Sequence, residues 1–274
     1  MQIINWYPGH IAKAQRLLKE NVKLVDLVIE MLDSRLPINS HFSFVDSILN
    51  NKEKIIILNK KDLSEQRLVS KSIEYWENKG LDVICTDLAE TKDIKHLKLL
   101  LKKYHEKLSL KLKKRGVLPR PLRIMVLGLP NIGKSTLINQ LIAKKSVKSE
   151  NKPGVTKTVQ WIRIGSDVEL MDTPGVIPPK LENQDIALKL VMIGSVSTEA
   201  YEPEETSRMI IDYLNKNNQY CLQDFGENFT LEKYGEMRNF KKDKGEVDIE
   251  RASRTFIKEL RDGKLGRITL DLLD

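Results

Sequence analysis

Apolar positions along the chain gather into short runs separated by longer amphipathic stretches. Four runs, at residues 24–32, 54–58, 81–85 and 122–127, are nearly unbroken and rich in Val, Ile and Leu. Strands buried on both faces of a parallel sheet have this pattern, whereas a strand with one wet face alternates. The stretches 11–20, 64–78, 91–114 and 136–144 instead repeat apolar residues every three or four positions, which predicts helices. Alternation of strand and helix predicts a doubly wound, mostly parallel α/β sheet. Residues 159–164 and 168–171 flank Gly165-Ser166-Asp167 and predict a hairpin. After Pro178-Pro179 no strand pattern follows, and polar breaks such as 223–226 separate helical stretches. The expected organisation is an α/β domain over residues 1–178 and a small all-helical domain over 179–274.

Composition narrows the class. Charged residues are 31% and apolar residues 41% of the chain, a globular balance. No run of about 18 apolar residues occurs, so no membrane partner is expected. The opening Met1-Gln2-Ile3-Ile4-Asn5-Trp6 lacks the basic start and apolar stretch of a secretory leader. Cys85 and Cys221 form neither a disulfide framework nor a zinc spacing, which fits a reducing, cytoplasmic setting. A net charge of +8 favours polyanionic partners, nucleic acid first among them.

The motifs say what the sheet would carry. Gly128-Leu129-Pro130-Asn131-Ile132-Gly133-Lys134-Ser135 matches G-x-x-x-x-G-K-[ST] throughout and lies between a predicted strand and a predicted helix. Glycines let backbone N–H groups turn toward phosphate oxygens, and the helix N-terminus adds positive potential. Asn131, Ile132, Gly133, Lys134, Ser135 and Thr136 would surround the phosphates, with Lys134 on the β- and γ-phosphates and the Ser135 hydroxyl on Mg²⁺. Asp172-Thr173-Pro174-Gly175 has the form D-x-x-G. Asp172 would hold Mg²⁺ through water and the Gly175 amide would sense the γ-phosphate. Thr156, between the two motifs, is the candidate switch hydroxyl completing the Mg²⁺ shell.

Asn59-Lys60-Lys61-Asp62 follows the apolar run 54–58 as N-K-x-D. The Asp62 carboxylate can accept from N1–H and N2–H₂ of guanine, a donor pair that adenine lacks. The Lys60 stem can lie against the base. Ordinary GTPases place this motif after D-x-x-G; here it comes first, so the order is circularly permuted. The base-contacting loop is then expected after the next strand, at Thr86 and Asp87. A sheet core tolerates permutation, because packing depends on strand adjacency rather than on where the chain is cut.

These features together resemble the circularly permuted GTPases of the YlqF/RbgA type. The opening Asn5-Trp6-Tyr7-Pro8-Gly9-His10-Ile11-Ala12-Lys13-Ala14 is similar to that family's W-[FY]-P-G-H-M-x-K-A signature. Asp33-Ser34-Arg35-Leu36-Pro37 resembles its D-A-R-x-P segment, and residues 263–270 resemble its C-terminal pattern. The departures are Ser34, where Ala is usual, and Cys85-Thr86-Asp87, where a Ser-Ala pattern is usual. The resemblance implies a P-loop GTPase acting late in assembly of the large (50S) ribosomal subunit. It implies hydrolysis of GTP to GDP, slow alone and stimulated by the subunit precursor, and rRNA contact through the C-terminal helices. A protein monomeric off the ribosome is expected.

Val176 stands where many Ras-like GTPases carry the Gln that orients the attacking water, and an isopropyl group cannot do so. Two substitutes are open. His10 is implied by the family signature, and imidazole can position or deprotonate water near neutral pH. Asn131 corresponds to an Asn that helps hold K⁺ in related GTPases, supplying charge in place of an arginine finger. For RNA, Arg251, Arg254, Lys258 and Arg261 fall three or four apart on one helix face, opposite Ile249, Ala252, Phe256 and Leu260. The basic stretch 92–115 reads as a solvated helix face. Two rivals stay open: a GTP-gated RNA-binding module with negligible turnover, and a GTPase acting on a non-ribosomal RNA.

Overall fold

A computed structural model describes residues 4, 11–41, 43–49, 52–88, 91–142, 160–172, 183–217, 229–242 and 245–271. Six strands form one sheet: β1 (Leu27–Asp33), β2 (Glu53–Asn59), β3 (Asp82–Thr86), β4 (Leu122–Gly128), β5 (Gln160–Ile164) and β6 (Val168–Asp172). Their order is β3-β2-β1-β4-β6-β5, parallel except for the antiparallel β5–β6 pair. That pair is the hairpin expected around Gly165, whose φ of +64° suits the turn. Helices α1 (Ile11–Val22), α2 (Ser43–Ile48), α3 (Gln66–Glu77), α4 (Thr91–Lys114) and α5 (Lys134–Ile142) accompany the sheet.

Successive side chains of a strand point to opposite faces, and the core follows that rule. Leu27, Ile29 and Met31 of β1 join Ile55, Ile57, Ile124 and Val126 in one cluster. Val28 faces the other way, with Met125, Leu127 and the α1 and α2 residues Leu18, Val22, Val45 and Ile48. Trp76 of α3 closes a third cluster on Leu32, Ile56 and Leu58.

Three departures from the sequence reading have plain causes. Leu24 is apolar but 46% exposed in the link from α1, so β1 begins at Leu27. The six-residue α2 is too short to show a period, and its buried residues are Val45 and Ile48. Glu30 is buried inside the apolar run, held by Lys54 Nζ at 3.1 Å and His41 Nδ1 at 2.9 Å. Asp46 of α2 completes this network, 2.5 Å from Lys54 Nζ and 2.9 Å from His41 Nε2.

The boundary expected at 178/179 lies outside the described residues. Beyond it come α6 (Gln184–Met192), α7 (Pro203–Lys216), α8 (Leu231–Met237) and α9 (Ile249–Arg261), with no strand among the described residues. Each starts on a side-chain cap: Asn183, Glu202, Thr230 and Asp248 accept from amides of the first turn. Tyr234 meets Phe229 and Phe256 edge-to-face among these helices, whose apolar residues continue the same cluster that lines the sheet. No described helix is long and apolar enough to cross a membrane.

Candidate functional site

β1, β2 and β4 lie side by side and end together, with Asp33 paired to Asn59 and Met31 to Gly128. The loops that follow open at the carboxyl edge of the sheet, where open α/β folds bind ligands. There the two motifs meet, although 73 residues separate them: Asn59 Nδ2 donates to Ile132 O at 2.7 Å. Gly133 makes the approach feasible. Its φ is +103°, and a Cβ would lie 2.5 Å from Asn59 Nδ2. Gly128, at φ +150°, would place a Cβ 2.6 Å from Met31 O. Any side chain at either position would push the phosphate loop off the strands behind it.

Asn59 Oδ1 and Thr86 Oγ1, neighbours across β2 and β3, are buried and find no hydrogen-bond partner among the described residues. Buried polar atoms are nearly always satisfied, so this pair beside the phosphate loop fits a site completed by a polar ligand or water. Lys134 Nζ donates to Gly128 O at 3.0 Å and Leu129 O at 2.5 Å. Burial pushes its pKa down to about 8, with no carboxylate among the described residues to offset the desolvation. Phosphate oxygens are the partners that such a desolvated ammonium lacks. Ser135 and Thr136 are exposed on the first turn of α5.

On the base side, Lys60 adopts a left-handed conformation (φ 61°, ψ 41°), and its Nζ lies 3.2 Å from Asp33 Oδ2. Asp62 sits exposed in the short 3₁₀ turn Lys61–Leu63, and Asp87 is half-buried after β3. His10, Thr156 and Gly175 lie outside the described residues. Asp172 closes β6, its backbone paired with Gln160.

Asn131 has φ 58° and donates from Nδ2 to Gly194 O at 2.9 Å. Ser195 Oγ donates to Pro130 O at 3.0 Å, so the tip of the phosphate loop is tied to the end of α6. The expected four-residue cationic row on α9 needs correction. Arg251, Arg254 and Lys258 are exposed, but Arg261 turns inward. Its Nε donates to Val191 O at 2.8 Å and its Nη2 to Tyr201 Oη at 2.9 Å. The carbonyls at the end of α6 need donors, and Arg261 is within reach of them.

Sequence reasoning missed the role of Arg35. Only 1% exposed, it holds Asp33 through Nε at 2.9 Å and Nη2 at 2.9 Å. The same guanidinium donates to Ile193 O and Arg261 O, each at 2.9 Å, the C-terminal carbonyls of α6 and α9. A cation at two helix C-termini is favoured by both dipoles. Burial alone would raise the pKa of Asp33, but Arg35 and then Lys60 outweigh it and hold the carboxyl below its usual value. The signal available in the sequence was an Asp-x-Arg directly after an apolar strand.

A parallel sheet with a G-x-x-x-x-G-K-S loop interlocked with an N-K-x-D strand that precedes it in the chain defines a circularly permuted P-loop GTPase. The family model for the 50S ribosome-binding GTPase matches residues 123–229. Ribosome biogenesis GTPase A of Bacillus cereus is 34% identical over 98% of this chain and 94% of its own length. That of Thermotoga maritima is 33% identical over 98% and 94%. GNP-bound YlqF from T. maritima superposes with a TM-score of 0.69 at 30% identity, covering 96% of this chain and 99% of that one. A GDP-bound YlqF gives 0.71 at 29%, covering 93% and 98%. The chain belongs to the ribosome biogenesis GTPase A family. It is a GTP hydrolase of ribosome biogenesis that binds guanine nucleotide, typically with Mg²⁺.

Proposed function

We propose that the chain acts late in assembly of the large (50S) ribosomal subunit. It docks on a nearly complete precursor and its rRNA in the GTP state and leaves after hydrolysis. The observation that carries this reading is the interlock of Asn59 with the phosphate loop at Ile132 O. It makes base and phosphate recognition one site, and that site is tied to the C-terminal helices through Asn131 and Arg35. The names of the relatives and of the matching family model point the same way.

In this reading Asp62, Lys60, Asn59, Thr86 and Asp87 bind guanine. Residues 131–136 hold the phosphates with Lys134 as their cation, and Gly175 senses the γ-phosphate. Ser135, Thr156 and Asp172 would ligate Mg²⁺. His10 positions the attacking water, and Asn131 helps hold K⁺. Arg251, Arg254 and Lys258 on α9 lie against rRNA phosphates, and the protein is cytoplasmic and monomeric off the ribosome. Residues 1–178 act as the nucleotide domain and 179–274 as the RNA-binding domain. Co-sedimentation with large-subunit precursors tests the reading: a non-hydrolysable GTP analogue should retain the protein and GDP should release it. Sedimentation that ignores the nucleotide would overturn it.

A further inference from the structure

The C-terminal segment beyond α9 does not end on the helices. It crosses the sheet edge and lies along the turn that carries Asp62. Arg267 Nε donates to Asp62 O at 3.0 Å. The amide of Ile268 donates to Leu63 O at 3.1 Å. Thr269 Oγ1 accepts from the Glu65 amide at 3.1 Å. Gly263 packs so closely that a Cβ there would lie 2.6 Å from Leu63 Cδ2. Further along, Leu270 N donates to Arg35 O at 2.7 Å, and Asp271 Oδ2 accepts from the Ile38 and Asn39 amides at 2.6 and 2.9 Å. Within this segment Leu265, Ile268, Thr269, Leu270 and Asp271 are all buried.

The turn Lys61–Leu63 is short and depends on its neighbours. It is three residues long, and it begins at a left-handed Lys60 with no side-chain cap. Left-handed backbone at a non-glycine residue persists only where its surroundings hold it. The surroundings here include the C-terminal segment on the outer side, Asp33 on the Lys60 ammonium, Asp93 on the Lys61 ammonium at 3.0 Å, and the Ser64 hydroxyl and Gln66 side-chain amide on Lys61 O.

We propose that the C-terminal segment is part of the guanine-recognition apparatus, with Arg267 and Thr269 as positioning residues that hold the Asp62 turn. The inference rests on reading Asp62 as the guanine acceptor. It has a consequence for coupling. The segment continues directly from α9, so base binding and the placement of α9 share one set of hydrogen bonds. Whatever strengthens one end strengthens the other, because such coupling is reciprocal.

The test is nucleotide selectivity. Inosine nucleotides lack the 2-amino group, so the ratio of GTP to ITP affinity reports how well Asp62 is aimed. The variant Arg267→Ala/Thr269→Val should lower GTP affinity by a factor of about 10 and pull the GTP/ITP ratio toward one, since two hydrogen bonds are lost. Thr269→Ser, which keeps the hydroxyl, should leave the ratio as in wild type. A lower melting temperature with an unchanged ratio would mean the segment is only structural and would overturn the proposal. Asp62→Asn separates the two layers. If it removes guanine preference while the double variant does not, the positioning role alone fails. If Asp62→Asn leaves the preference intact, the base assignment fails and the proposal with it. Hydrogen exchange on the wild-type chain adds a readout that needs no variant. GDP should slow exchange at the Ile268 and Leu270 amides, and equal rates with and without GDP would overturn the coupling.

Discussion

Replacing Arg35 by Met removes the charge and keeps much of the volume. The side chain is 1% exposed, so solvent cannot take its place. Three acceptors lose the guanidinium: the Asp33 carboxylate, which keeps the residue 35 amide at 3.1 Å, Ile193 O and Arg261 O. Breaking a buried ion pair from one side costs about 3–5 kcal/mol, and each carbonyl left without a donor adds about 1–3 kcal/mol. The losses share one guanidinium and do not add fully, and Lys60 remains 3.2 Å from Asp33. A net loss of about 4–6 kcal/mol is expected, a large part of the stability of an ordinary protein. At about 2–4 °C per kcal/mol the melting temperature should fall by roughly 10–20 °C. Circular dichroism melts, with urea titrations alongside, measure it. Asp33→Asn/Arg35→Met should recover more than about 1 kcal/mol, because the buried charge that has lost its main partner is then gone.

The pH dependence of this deficit follows from the lowered pKa of Asp33. A carboxylate with a depressed folded-state pKa stabilises above its unfolded pKa of about 3.9, and the contribution is lost as pH falls through the lower folded value. In Arg35→Met the guanidinium no longer offsets burial, so that pKa rises from its wild-type value and the carboxyl protonates earlier as pH falls. The gap between wild type and variant should therefore be widest near neutrality and narrow in acid. A loss under about 1 kcal/mol at pH 7, or a double variant no better than the single one, would refute the role given to Arg35.

Three further outcomes are expected. Gly133→Ala should weaken GDP binding by about tenfold or more, since the new Cβ would meet Asn59 Nδ2 and the φ of +103° strains any side chain; calorimetric titration showing unchanged affinity would contradict this. GDP binding should take up a proton above pH 8, because phosphates would raise a Lys134 pKa that burial holds at about 8; titrations in buffers of different ionisation enthalpy detect the uptake, and Lys134→Arg should abolish it. GTP turnover should be faster in K⁺ than in Na⁺, with the difference lost in Asn131→Ala; equal rates in the two salts would remove Asn131 from hydrolysis.

Much of the sheet was legible because its information is local. Unbroken Val/Ile/Leu runs mark strands covered on both faces, and α4 matched its predicted span because its period runs through 24 residues. The phosphate loop was equally legible, since its whole motif lies within Gly128–Ser135 between a strand and a helix. Ser43–Ile48 was not, because six residues hold too little period. Glu30 stood in an apolar run as an apparent exception, and only the fold brings Lys54, His41 and Asp46 to it. Arg261 matched the spacing of a solvent-facing row. It turned inward because α6 ends beside it, and helical periodicity carries no record of such a neighbour.

By itself the sequence determined the class of fold, the kinds of group at the site and the rotated order of the motifs. Those depend on side-chain chemistry and on spacings along one stretch of chain. Only the tertiary structure decided that Asn59 buttresses Ile132, that Arg35 joins β1 to the ends of α6 and α9, and that residues 263–271 brace the Asp62 turn. Each of these is a hydrogen bond whose partner is chosen by which strands and helices lie adjacent. Adjacency comes from burying many apolar side chains at once, so no single segment of the chain encodes it.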